Sequence, residues 1–231
     1  MEDIYQRTEL VIGKDNLQKL KSTHICICGI GGVGSYTLEA LARIGVGKIT
    51  IIDNDNIDIT NINRQIIATS DNIGNSKVEE AKKRINSINP DIQITDIKDY
   101  IDTNNVDKYI TTDLDYVVDA IDSIESKIAI IKKCKEKNIK FISSMGMANR
   151  IEPLKIKVAD ISKTEICPLA KVVRKRLRQE GINKVKVVFS IEEPIKNGSK
   201  KLGSISYVPS VAGLVIVSEI VKDIICKKDE V

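Results

Sequence analysis

An unbroken apolar run, Ile25-Cys26-Ile27-Cys28, ends on the glycines Gly29, Gly31, Gly32 and Gly34. A helix-compatible segment follows from Ser35 to Ile44, then a second run, Lys48-Ile49-Thr50-Ile51-Ile52, which stops at Asp53. Short apolar runs closed by glycine or acid mark buried strands, so the stretch predicts strand, glycine turn, helix, strand, acid: a first βαβ unit. Val78, Ala81 and Ile85 recur at helical spacing and predict a helix over about Asn75 to Ser87, stopped by Asn89-Pro90. Ile92, Ile94 and Ile97 predict a strand, as does Tyr116-Val117-Val118-Asp119-Ala120-Ile121-Asp122, which runs into acids. A helix from Ser123 to Lys137 and a strand Phe141-Ile142-Ser143-Ser144 complete the regular part.

Beyond residue 150 the alternation weakens. A strand at Ile156-Lys157-Val158, a helix opened by Cys167-Pro168, and a strand over Val187 to Ile191 are predicted there. Glu192 to Gly203, rich in Lys, Gly and Ser, reads as a mobile loop, and Ser210 to Cys226 as a mostly apolar helix. At the other end, Leu10, Ile12, Leu17 and Leu20 mark short helical pieces broken at Gly13. The fold class expected is α/β: Rossmann-like, doubly wound, a mostly parallel sheet with helices on both faces, extended by a C-terminal α/β segment. One domain over 1–231 is expected, with a nucleotide-binding core in 1–150 and the extension in 151–231.

The chemistry enters with the glycines. They let the backbone turn tightly and approach phosphate, and the helix that follows offers its unpaired N–H groups to an anion. Asp53, at the end of the second strand, can accept ribose hydroxyl hydrogens. A dehydrogenase needs no dense polar run after that acid, yet here it continues through Asp55, Asn61, Arg64 and Gln65. Such packing suits a nucleoside triphosphate, whose phosphates need cationic and amide donors. Lys77 stands in the first turn of its helix, where the dipole disfavours a cation unless a phosphate faces it; the alternative is a surface lysine. Asp119 and Asp122 arrive at the strand end where ligands bind in open α/β sheets, although one acid there could simply cap the next helix.

Composition narrows the rest. The 231 residues are 42% hydrophobic and 29% charged with a net charge of +4, so bulk charge announces no nucleic-acid partner. Local clustering does: Lys171, Arg174, Lys175, Arg176, Arg178, Lys184 and Lys186 stand against the single acid Glu180, with Leu169, Val172, Val173 and Leu177 as the apolar face. That run is either a solvated helix face or an RNA-binding one, with Lys171, Arg174, Lys175 and Arg178 as the candidates. Met1-Glu2-Asp3 lacks the start of a signal peptide and no run approaches a membrane span, so the expected location is cytoplasmic, with no membrane partner. The five cysteines include no C-x-x-C pair, which argues against a disulfide scaffold and a Cys₄ zinc site. His24, the single histidine, and Cys26 and Cys28, which share one strand face, read as structural.

On these residues, and from Arg7-Thr8-Glu9-Leu10 to Val208-Pro209-Ser210-Val211-Ala212-Gly213, the chain resembles the ThiF/MoeB-type, E1-like activating enzymes. Its likeness is nearest to the branch acting on tRNA carrying threonylcarbamoyladenosine. That resemblance implies ATP and Mg²⁺ as cofactors, adenylation of the substrate carboxylate, and ring closure with net loss of water. It also implies roles: Gly29, Gly31, Gly32 and Gly34 around the nucleotide, Asp53 on the ribose, Asn61, Arg64 and Lys77 on the phosphates, Asp122 on Mg²⁺. Arg7 is expected to reach the triphosphate held by the other subunit of a homodimer, unless it is a solvated arginine on a loose terminus. Arg64, Lys77, Asp122 and Arg7 are the catalytic candidates. A sulfur-transfer or cysteine desulfurase partner is a further expectation. Two positions depart from the pattern: Ala148 stands where relatives carry glycine, and Cys167 where dehydratase relatives carry aspartate. The rivals are an activator of a ubiquitin-like sulfur carrier and an NAD-dependent oxidoreductase; missing zinc pairs count against the first, and Arg64, Gln65 and Lys77 against the second.

Overall fold

The computed structural model describes residues 4–196, 198, 199 and 201–225. The chain start Met1-Glu2-Asp3, Cys226 and the tail Lys227–Val231 lie outside the described residues. Two short helices, α1 (Gln6–Ile12) and α2 (Lys14–Ser22), lead into β1 (His24–Cys28), α3 (Gly34–Ile44) and β2 (Lys48–Ile52). Then come α4 (Lys77–Ile88), β3 (Gln93–Ile97), α5 (Val106–Tyr109), β4 (Tyr116–Asp119), α6 (Ile124–Glu136) and β5 (Lys140–Ser144). The chain closes with β6 (Ile156–Asp160), α7 (Pro168–Gln179), β7 (Lys186–Ser190) and α8 (Tyr207–Ile225).

The strands form one seven-stranded sheet in the order β3-β2-β1-β4-β5-β7-β6. All neighbours are parallel except β6, which runs antiparallel to β7 at the edge. Alternation along β1 shows why helices cover both faces. Ile25 and Ile27 pack with Leu38 and Leu41 of α3, Val78 and Ala81 of α4, and Ala212 and Ile216 of α8. Cys26 and Cys28 turn to the other face, with Ala129, Ile130 and Cys134 of α6. Each such isoleucine, wholly buried, contributes about 2 kcal/mol. The thiols are core groups, with Cys26 Sγ 3.9 Å from Cys28 Sγ.

Three expectations need correction. The strand expected to reach Asp122 stops at Asp119, whose Oδ1 accepts from Ile121 N and turns the chain out of the sheet. The basic run is not one helix: α7 ends at Gln179, Gly181 takes φ +69° with Ile182 N bonded back to Leu177 O, and Lys186 already opens β7. Val172 is 42% exposed; Ala170, Val173 and Leu177 form the buried face, and position 172 lies more than a quarter of a turn from each of them.

Candidate active site

At the C-terminal ends of β1, β2, β4 and β5 lies a cleft of about 770 Å³. It straddles the point where β1 is flanked by β2 on one side and β4 on the other, which is where open α/β sheets bind ligands. Gly29 makes the turn at φ +90°, and a Cβ there would meet Ala120 O at 2.8 Å. A Cβ on Gly34 would stand 1.8 Å from Gly29 O, so only glycine lets α3 start against β1. Gly34 does not line the cleft, and its expected cofactor contact is corrected to a packing role. Gly31 differs: its nearest neighbour would be Gln65 Nε2 at 4.0 Å, so its missing side chain leaves open space in the cleft. Gly32 lies close to Arg64 and Pro209.

The cleft brings together Gly29, Gly31, Gly32, Asp53, Asp55, Asn61, Arg64, Gln65, Lys77 and Asp122. Asp53 accepts from Ile30 N at 2.6 Å and from Asp55 N at 2.9 Å, so its carboxylate braces the glycine turn. Lys77 opens α4 and is buried, not a surface lysine; its Nζ lies 2.6 Å from Asp55 Oδ2 and 3.8 Å from Asp53 Oδ1. Asn61 has part of its capacity committed, because its Oδ1 accepts from Asp58 N in a capping box around Ile59–Asn61. The bonds that Thr60 gives Asp58 hold that carboxyl below the usual range. Arg64 is half-buried and donates to Thr60 O at 2.7 Å and Asn63 Oδ1 at 3.0 Å. Gln65 is buried in the wall with its Oε1 unpartnered. An unpaired buried acceptor is costly, which sets Gln65 apart from the other polar residues of the wall.

The two acids after β4 part company. Asp119 is fully buried and paired to Lys127, whereas Asp122 is exposed and lines the cleft. Among the described residues no group of three or more His, Cys, Asp or Glu could hold a metal ion unaided. Mg²⁺ needs no such group, since it is commonly held by one or two carboxylates together with substrate phosphates and water, and Asp122 suits that role.

The opposite wall comprises Ser144 to Ala148 beyond β5, Leu169 of α7, and Leu202, Gly203 and Ser204. The segment expected to be a mobile loop is tied down at both ends. Ile195 N donates to Asn149 O, Asn149 and Gly203 exchange two bonds at 2.6 and 2.8 Å, and Asn63 Nδ2 donates to Ser204 O. Two lining residues carry no motif in the sequence, Asp99 and Tyr100. Tyr100 shares hydrogen bonds with Ser123 and Ser126, which lower its phenol from the ordinary value, and Asp99 accepts from Tyr109. Their signal is position alone, directly after β3 at the ligand-binding edge.

Other candidates lie elsewhere. Arg7 is exposed on α1, outside the cleft. His24 sits at the start of β1, bridging Asp113 at 3.1 Å and Thr50 at 2.9 Å, in the structural role expected. Cys167 is buried at the start of α7, its Sγ 4.0 Å from Gly146 O. On α7 the residues divide. Lys171, Lys175 and Arg178 are exposed, but Arg174 is half-buried and donates to Thr164 O and Thr164 Oγ1, both at 2.6 Å. Its expected place in an RNA-facing row is corrected: it ties α7 to the Ile161–Thr164 turn. Arg176 is paired to Glu125 at 2.9 Å.

A model of the ThiF family matches residues 5–231. The chain is 43% identical over 239 residues to a tRNA threonylcarbamoyladenosine dehydratase of Bacillus subtilis (strain 168), covering 96% of this chain and 94% of that relative. Two solved structures of E. coli tRNA N6-threonylcarbamoyladenosine dehydratase, one in complex with ATP and one with AMP, match with TM-scores of 0.91 and 0.92. Each is 39% identical and covers 95% of this chain and 93% of the other.

Proposed function

Because the chain belongs to the ThiF family, we propose that its cleft adenylates a carboxylate, and that the carboxylate is that of threonylcarbamoyladenosine in tRNA. The chain is an ATP-dependent enzyme that removes water from this modified nucleoside. The observation that carries the reading is the convergence of Arg64, Lys77 and Asp122 on one cleft in a chain so similar to dehydratases solved with ATP and AMP. An oxygen of the substrate carboxylate attacks the α-phosphorus of ATP, the bond to pyrophosphate breaks, and a mixed acyl-adenylate results. A neighbouring group of the same substrate then attacks the activated carbonyl carbon and gives up a proton, and AMP departs. No protein nucleophile is needed, which fits the burial of Cys167.

For such a reaction the protein supplies position and charge. Gly31 leaves room for the nucleotide beside the turn, and Asp53 lies where a ribose acid is expected. Arg64 and Lys77, with Asn61 and Gln65 beside them, are the proposed phosphate contacts. Asp122 is the proposed Mg²⁺ ligand; the bound ion would neutralise phosphate charge. Arg7 in a homodimer is proposed to add a cation from the partner subunit. The exposed row Lys171, Lys175 and Arg178 starts two residues after Leu169, which lines the cleft, and is the proposed tRNA contact. No described helix is long and apolar enough to cross a membrane, and a cytoplasmic location suits a tRNA substrate. The chemistry moves no sulfur, so a sulfur-transfer or cysteine desulfurase partner would dock for another purpose.

The test is to incubate the protein with ATP, Mg²⁺ and tRNA that does or does not carry threonylcarbamoyladenosine. The modified nucleoside should lose the mass of one water, with AMP and pyrophosphate released together, and unmodified tRNA should give neither. Activation of a ubiquitin-like carrier in place of the tRNA would overturn the reading.

A further inference from the structure

Behind the cleft one cation is completely enclosed. Lys127, in the first turn of α6, and Asp119, at the end of β4, both have no solvent exposure. Lys127 Nζ donates to Asp119 Oδ2 at 2.8 Å, to Ser144 O at 2.9 Å and to Ser143 Oγ at 3.3 Å, which uses all its donors. Asp119 also accepts from Ile121 N at 3.3 Å and from Ser143 Oγ. One ammonium thereby binds the ends of two adjacent strands. β4 delivers Ala120, Ile121 and Asp122 to one wall of the cleft, and β5 delivers Met145 to Ala148 to the other.

Taking a charge pair wholly out of water is a poor route to stability, because an apolar pair of similar volume commonly does as well or better. Removing one partner alone is strongly destabilising, since it strands the other charge. What the pair supplies that an apolar pair cannot is direction: three bonds of fixed geometry between two strand ends. Of the residues bonded to the Lys127 ammonium only Ser144 lines the cleft; Asp119 and Ser143 do not, nor does Lys127 itself.

Resting on the adenylation reading above, we propose that Lys127 is a positioning residue for that site. It sets the separation of the two walls, and through Asp119 and Ile121 the placement of Asp122, without touching the nucleotide. The test uses the double variant Asp119→Asn/Lys127→Met, which removes both charges together while the asparagine amide can still accept from Ile121 N. Three quantities are compared with the parent: the melting temperature, the exchange rate of the Ile121 amide, and the affinity for ATP–Mn²⁺ read by electron paramagnetic resonance without tRNA. Kinetics with modified tRNA follow. A folded double variant should exchange Ile121 faster and bind ATP–Mn²⁺ about tenfold more weakly. Its kcat should fall while KM for tRNA stays as in the parent; the readout that loss of stability alone does not produce is the weaker ATP–Mn²⁺ dissociation constant, because a smaller folded fraction lowers the number of sites and not their affinity. Parent-like metal–nucleotide affinity and kcat in the folded double variant overturn the proposal. Should that variant not fold, Ser143→Ala removes two bonds of the same cluster and should weaken ATP–Mn²⁺ in the same direction; no change there overturns the proposal equally. If the parent itself binds no ATP–Mn²⁺, the adenylation reading fails and this inference falls with it.

Discussion

The ammonium of Lys77 meets the carboxylate of Asp55 at 2.6 Å, yet the two side chains are unequally placed, 6% and 57% exposed. Lys77 cannot leave the cleft wall, whereas Asp55 can turn to water at little cost. A phosphate oxygen can therefore replace Asp55 as the anion beside a cation already fixed in place, which is the preorganisation that phosphoryl chemistry requires.

Lys77→Ala should accordingly cripple ATP–pyrophosphate exchange. A charge-assisted contact made in the transition state is worth about 3 kcal/mol, or roughly a hundredfold in rate. Arg64→Ala should act in the same direction. Exchange kinetics measured beside melting curves decide the matter, and unchanged turnover in Lys77→Ala would remove that residue from the site.

Cys167→Ser should keep most activity, because the residue is 2% exposed and its thiol is turned to Gly146 O at 4.0 Å. No thioester should be trapped by mass spectrometry of the intact protein during turnover. Lost ring closure with intact pyrophosphate exchange would instead indicate acyl transfer to the thiol.

The parts of the fold legible in sequence are those where local pattern and final environment agree. β1 and β2 are near-continuous apolar runs because parallel strands are buried on both faces, and they and β5 are found within a residue of their expected limits. The site residues from Asp53 to Lys77 are legible because residue type and sheet edge coincide. The role of Gly34 is not, because its reason is a distance to Gly29 O that arises only once α3 is packed. Nor is that of Arg174, because periodicity shows which face a residue takes, not which carbonyl its guanidinium meets. Lys127 sits between Ile124 and Ile128 on the apolar side of α6, and a lysine there asks for a buried partner. Sequence leaves that partner, Asp119, as one of two acids at a strand end, and only the fold pairs them.

The single histidine makes one stability effect easy to isolate. Burial, and then the Lys48 ammonium, lower the His24 imidazole from its ordinary 6.5, against the opposing pull of Asp113. The unfolded chain then binds the proton more readily than the folded one, so stability rises with pH across this window. The contribution is complete above pH 6.5 and is lost as pH falls through the folded-state value. An imidazole titration followed by NMR should give a value below 6.5, and His24→Gln should flatten the denaturation midpoint between about pH 7 and 5. A midpoint that still falls over that range in the variant would assign the effect to other groups.

The exposed side of α7 separates an RNA enzyme from an activator of small molecules or proteins. Lys171, Lys175 and Arg178 are spaced by four and three residues, so they form one row along a helix about 18 Å long. Arg174, three residues after Lys171 and four before Arg178, borders that row but is half-buried and spent on Thr164, so the two kinds of basic residue predict opposite behaviour. Replacing Lys171, Lys175 and Arg178 together by Glu should weaken tRNA binding steeply at low salt. It should also reduce the salt dependence by roughly one unit for each phosphate that is no longer neutralised. ATP affinity should hardly change, since none of the three lines the cleft. Arg174→Met should do the reverse, leaving the salt slope alone while costing on the order of 1–3 kcal/mol in stability through the acceptor left unpaired at Thr164 O. Both affinities measured at two salt concentrations, with urea melts of each variant, distinguish the cases. A triple variant that binds tRNA with the parent's affinity and salt slope would make this face a solvated one, and the RNA contact would have to be sought on another surface around the cleft.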